Sequence, residues 1–284
     1  SLRELRFDLE ESPDYRKPLI QQLYLLRYLY AYFYEYYSAF GDMFELADGD
    51  VKSGYNVLSI GCGAGFDYAA LKSVIKDNEL DEYVQIIRYN GIDTVCWNDS
   101  WEKEGYDLFT IDIQDFRTWL DKNADIFSKS DIILFPKSIG EFPDDYFREI
   151  LQKVKREDFK ICRKSVTVIG SFRRSKHDSD VERFDRFVKQ IKDSGGYIKQ
   201  KSRSKFCESN IGFPKINNVM NGVKPYPEKI ITEILNIQKH CNRFIKRGCC
   251  CEHPNCEDSK VFKNPITTTR YFDYKVVLLQ RGDL

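Results

Sequence analysis

No apolar run in this chain approaches the roughly 18 residues that cross a bilayer, so a membrane-spanning protein is not expected. The opening stretch SLRELRFDLEESPDY lacks the apolar core of a secretory signal, and a cytoplasmic location is expected. Net charge is missing too, because 44 Lys and Arg balance 44 Asp and Glu. There is no internal repeat and no low-complexity linker, which excludes a solenoid or a string of tethered modules. Nine cysteines are an odd number, and several sit where buried strands or turns are expected, which suits reduced thiols better than a disulfide framework. What remains is 284 residues, 42% hydrophobic and 31% charged, the composition of a soluble globular protein with one full core and an elaboration.

The zero net charge hides a polarity. Lys and Arg outnumber Asp and Glu 18 to 8 over residues 146–205, whereas over 51–145 the acids lead 18 to 9. The basic stretch reads either as solvated helix faces or as a surface for an anionic partner such as RNA. Residues 16–47 are dense in Tyr, Phe and Leu, with no glycine before Gly41. Their length favours one or two helices that pack on the rest of the protein or help to roof a pocket. From Tyr55 onward short Val/Ile/Leu runs alternate with helical stretches, the pattern of a mostly parallel sheet covered on both faces. The closing TTTRYFDYKVVLLQR has strand character and is expected as a terminal antiparallel strand or hairpin. The expected fold is therefore a doubly wound α/β sheet. Its divisions are an N-terminal helical segment over 1–50, a Rossmann-like core over 51–205, a Cys-rich insertion over 206–265 and a final element over 266–284.

The informative segment is VLSIGCGAG, residues 57–65. A strand running into Gly61, Gly63 and Gly65 and then a helix lets the backbone turn sharply and come close to a ligand. The glycines lack the G-x-x-G spacing of dinucleotide sites. The string resembles motif I of the class I S-adenosylmethionine-dependent methyltransferases, and the resemblance spans about residues 55–205 and the last strand. It differs at Ser59, where the family carries an acid that contacts the amino-acid end of the donor through water; Asp67 is the candidate to compensate. The resemblance implies that Gly61, Cys62, Gly63 and Gly65 line the donor, with Cys62 a small filler rather than a nucleophile. Later strand ends are consistent with it. YNGID places Asp93 where an ionised acid accepts two hydrogen bonds from ribose hydroxyls. FTIDIQDF offers Asp112 for the adenine amino group and Ile113 for the ring, and DIILFPKSIGEFP carries Phe135 into a loop between donor and acceptor. For both acids a surface charge or helix cap is the competing reading.

Methyl transfer from a sulfonium depends mainly on alignment, with a base where the acceptor holds a proton. Candidates after the fourth strand are Lys137, Ser138, Glu141 and Asp144. Glu141 is the preferred base or substrate anchor, with helix capping the alternative. An NPPY-type loop is absent, which argues against adenine-N6 chemistry of that group. Further on, Cys241, Cys249, Cys251, His253 and Cys256 fall close together in KHCNRFIKRGCCCEHPNC, with Cys207 as another possible ligand. Thiolates and imidazole suit zinc, although the spacing matches no common finger, and reduced loop thiols are the competing reading. A Cys/His cluster beside SIGEFP also resembles the Rsm22-like ribosome-associated methyltransferases. Three functions are open: methylation of RNA, slightly favoured; methylation of a small molecule; and a noncatalytic scaffold. Oligomeric state is not legible.

Overall fold

A computed structural model describes residues 14–97, 109–173, 176–206 and 272–282. The chain divides into two compact units, Ser1–Ala31 with Asn210–Thr269, and Tyr32–Ser209 with Arg270–Leu284. The expected core, 51–205, lies wholly in the second.

The dense aromatic segment forms one helix, α1 (Pro18–Ala47). Its proline stands in the first turn, where its missing N–H costs nothing, and no other breaker precedes Gly41. Within the first unit Tyr24 packs on Tyr15 and Tyr28, with ring centroids 5.4 and 5.0 Å apart. Among the described residues no helix is long and apolar enough to cross a membrane.

The second unit is built on seven strands: β1 (Gly54–Ile60), β2 (Gln85–Asp93), β3 (Phe109–Ile113), β4 (Ile132–Pro136), β5 (Ser165–Ser171), β6 (Lys199–Phe206) and β7 (Asp273–Gln280). Their order is β3-β2-β1-β4-β5-β7-β6. Strands β1 to β5 pair in parallel, and β7 enters antiparallel between β5 and β6. This is the doubly wound sheet expected, and its order reverses between β1 and β4, where such sheets bind ligands at their carboxyl ends.

Side chains alternate across the sheet. Leu58, Ile60, Ile133, Phe135, Val166, Val168, Val277 and Leu279 share one core with α3 (Phe116–Lys122), α5 (Asp144–Val154) and α6 (His177–Gly195). The short α4 (Ala124–Ser128) adds Phe127. On α2 (Phe66–Asp77), Tyr68 meets Tyr89 and Phe109 at 5.1 and 4.8 Å.

The basic run over β6 forms a strand the hydrophobicity pattern does not announce, since every one of its residues is exposed. An edge strand has no second strand to bury it, and lysines there discourage pairing with another chain. β7 completes a hairpin-like antiparallel pair with β6, not with a neighbour in the closing sequence.

Candidate active site

Three glycines make the turn after β1. Gly61, Gly63 and Gly65 have φ of +77°, +55° and +79°, a region where a Cβ clashes with the following carbonyl. Contact tightens the requirement at Gly61, where an added Cβ would lie 2.4 Å from Ser138 Cβ. The amides of Gly61 and Cys62 donate to Ile92 O at 2.7 and 3.1 Å, which ties the turn to the end of β2. The Gly63 amide then donates to Asp93 Oδ2 at 2.8 Å, and that of Val95 to Oδ1 at 2.9 Å. Burial raises the Asp93 carboxyl above its usual range, opposed by the Val95, Gly63 and Thr94 amides and by Trp97. Each carboxylate oxygen keeps a further lone pair for a hydroxyl donor. Trp97, not anticipated from the sequence, lies 3.8 Å from where a Gly63 Cβ would stand.

Beneath the turn, Ser59 and Asp67 come together. Asp67 reaches back from the first turn of α2, and Tyr89 Oη donates to its Oδ2 at 2.8 Å. Burial pushes the Asp67 carboxyl up to about 6, with Ser59 and Tyr89 holding it down. Ser59 Oγ and Asp67 Oδ1 are buried without a well-formed hydrogen bond. Cys62 is buried and its thiol is raised well above the ordinary range by burial, so it is not a ready nucleophile. Asp112, at the end of β3, accepts the Trp119 indole at 2.6 Å. Ile113 beside it stays 48% exposed, an apolar surface at the ligand edge. Phe135 is placed differently from the expectation. It is fully buried and meets Phe187 edge-on at 4.9 Å, because its position in β4 points it into the helical core.

The four candidates after β4 separate. Ser138 donates its hydroxyl to Ile60 O and props the glycine turn, so it acts as a brace. Lys137 adopts φ +56°, which turns its side chain to Glu35 of α1, with Nζ 3.0 and 2.9 Å from the two carboxylate oxygens. It is engaged in a buried ion pair and is not a free base. Asp144 opens α5 and pairs with Arg183 of α6, joining two helices. Glu141 ends the 3-10 turn Ile139–Glu141. Crowding by protein pushes its carboxyl up to about 7, with Arg173 pulling it down and Asp93 and Asp180 pushing it up. The residue keeps solvent access on one side, as a group in a concavity does, and water there offsets part of that displacement.

These features fit a nucleoside donor: a backbone cradle, a carboxylate hydrogen-bonded to its rim and an exposed apolar side chain nearby. No family model matches the chain, and no curated protein matches it. Solved structures do. The plantazolicin methyltransferase BpumL with SAH matches at 13% identity over 99% of this chain and 95% of its own, with a TM-score of 0.43. A putative RNA methyltransferase, PH1948 from Pyrococcus horikoshii, matches at 13% identity over 72% and 84%, with a TM-score of 0.33. A loganic acid methyltransferase with SAH matches at 8% identity over 97% and 98%, with a TM-score of 0.33. Superpositions this loose add nothing to what strand order and site geometry already establish.

A second polar cluster was not anticipated. Glu35 Oε1 accepts from Ser171 Oγ at 3.0 Å and from the Asp273 amide at 2.9 Å, besides Lys137. Burial pushes the Glu35 carboxyl up to about 7, against the pull of Lys137. Asp273 in turn holds His177 Nδ1 at 2.8 Å. Arg173 grips the buried Asp180 with two bonds of 3.0 Å. The proposed zinc ligands Cys207, Cys241, Cys249, Cys251, His253 and Cys256 lie outside the described residues. Among the described residues no group of three or more His, Cys, Asp or Glu is placed to hold a metal.

Proposed function

We propose that this chain is an S-adenosylmethionine-dependent methyltransferase. The observation that carries the reading is the hydrogen bond from Gly63 to Asp93, at a turn of three left-handed glycines on the switch point of the sheet. In this reading Asp93 holds the sugar hydroxyls of the donor, Ile113 lies against the adenine with Asp112 near its amino group, and Ser59 and Asp67 serve the amino-acid end. When bound, the donor supplies an activated methyl group. The protein supplies position, exclusion of water and an acid-base group.

A small-molecule acceptor is the reading the described residues favour. The expectation of RNA rested on the basic stretch, yet many of those cations meet acids of the same unit. Arg203 pairs with Asp42 and Glu45 of α1, Arg173 with Asp180, Arg183 with Asp144, and Lys153 with Asp121. A further likeness to Rsm22-like enzymes rests on SIGEFP and a Cys/His cluster outside the described residues. Calorimetric titration with S-adenosylmethionine and S-adenosylhomocysteine tests the donor reading, and saturable binding of both is expected. Failure of both to bind would leave the noncatalytic scaffold. Affinity for total RNA that falls steeply with salt would restore RNA as the acceptor.

A further inference from the structure

Along the carboxyl edge of the sheet almost every acid has a partner. Asp93 accepts two backbone amides, Asp112 the Trp119 indole, Asp144 faces Arg183, Asp180 faces Arg173, and Asp273 faces His177. Glu141 differs. Among the described residues its carboxylate takes part in no hydrogen bond or close ion pair, only in longer-range interactions with Arg173, Asp93 and Asp180. It is not a loose surface acid either, because its amide donates to Ser138 O at 2.9 Å, and Ser138 is anchored on Ile60 O beside Gly61. In the sheet β2 and β4 flank β1. Asp93 and Glu141 therefore approach the glycine turn from the two neighbouring strands. Arg173 is already matched by the two-bond grip of Asp180. The field left at Glu141 is negative, and a dehydrated carboxylate without a partner gains most from a ligand cation.

We propose that Glu141 is the counter-charge for a cation at the methyl-transfer position, and that the acceptor there is a small-molecule amine. This rests on the methyltransferase reading and extends it to the chemistry of the acceptor. The amine lone pair forms the new C–N bond, the C–S bonding pair returns to the donor sulfur, and the nitrogen becomes positive. The proton it sheds passes to a Glu141 oxygen and from there to water. Crowding that holds the Glu141 carboxyl near 7 makes it a proton acceptor suited to neutral pH.

The test needs no known acceptor. Sinefungin places a protonated amine where the donor carries its methyl group, and S-adenosylhomocysteine places nothing charged there. Titrated into the full chain, sinefungin is expected to bind about tenfold more tightly than S-adenosylhomocysteine, the size of one partly hydrated charge pair. Glu141→Gln is expected to erase that preference while leaving S-adenosylhomocysteine affinity within about twofold, and Glu141→Asp to restore part of it. An unchanged melting temperature shows that the variants fold. A preference that survives in Glu141→Gln, equal weakening of both ligands, or no preference in the wild type overturns the inference and leaves the donor reading standing. No binding of S-adenosylhomocysteine to the wild type removes the donor reading itself.

Discussion

The two polar clusters of the second unit are organised on opposite principles. Around the glycine turn, Ser59, Gly61, Gly63, Asp67 and Asp93 lie within 35 positions of one another along the chain, and their contacts run between consecutive elements. At the junction of α1 with β5 and β7, Glu35 meets partners 102, 136 and 238 residues away. The first cluster is written in local order, and the second exists only after the sheet has closed. Glycine stereochemistry makes the one; buried charge at close quarters makes the other. The difference teaches that a ligand site can be legible while the polar network beside it is not.

Four experiments break or sharpen that comparison. The largest effect is expected at the junction. Lys137→Met leaves Glu35 buried without its cation and should cost about 3–5 kcal/mol in urea unfolding, with most of the loss recovered in the Glu35→Leu, Lys137→Met double variant. A cost below about 1 kcal/mol would mean that this pair does not hold α1 in place. Next is pH. The Asp67 carboxyl is pushed up to about 6 from an unfolded value of 3.8, so between these values the folded state binds more protons than the unfolded. Its contribution is full below about pH 4 and is lost as pH rises through about 6, on the order of 3 kcal/mol. Denaturant melts from pH 4 to 7 should show that decline, and Asp67→Asn should flatten it.

Smaller effects are expected at the turn itself. Gly61→Ala must adopt a left-handed backbone and press on Ser138, which should cost about 1–3 kcal/mol of stability and abolish binding of S-adenosylhomocysteine by calorimetry. Asp93→Ala should weaken that binding at least about tenfold while lowering stability by only about 1 kcal/mol, since two backbone amides lose their acceptor. If Asp93→Ala binds as well as the wild type, the sugar is held elsewhere.

The strands β1, β2, β4, β5 and β7 were legible because each is a run of β-branched and apolar residues, buried for most of its length. The edge strand β6 was not, since a strand exposed along its whole length needs no hydrophobic alternation, and its Lys and Arg suggested a binding surface. Phe135 looked like a ligand contact from its place before the loop, yet the two-residue period of β4 sends it into the core. Lys137 and Ser138 occupy the right loop, but their hydrogen-bonding capacity is taken up by Glu35 and Ile60 O. Trp97 and Asp180 carried no signal, because a single Trp or Asp without a motif says nothing about what folds against it.

By itself the sequence determined the strand-turn-helix at residues 57–65, the alternation that makes a parallel sheet, and the acid at the end of β2. These follow from backbone sterics and from hydrophobic period, which act over a few residues. Only the tertiary structure decided which polar groups are occupied and which are left open. A carboxylate becomes an ion-pair member, a strand-end acceptor or an unpartnered charge according to groups brought from distant parts of the chain. That is how Lys137 was withdrawn from the candidate site and Glu141 left in it.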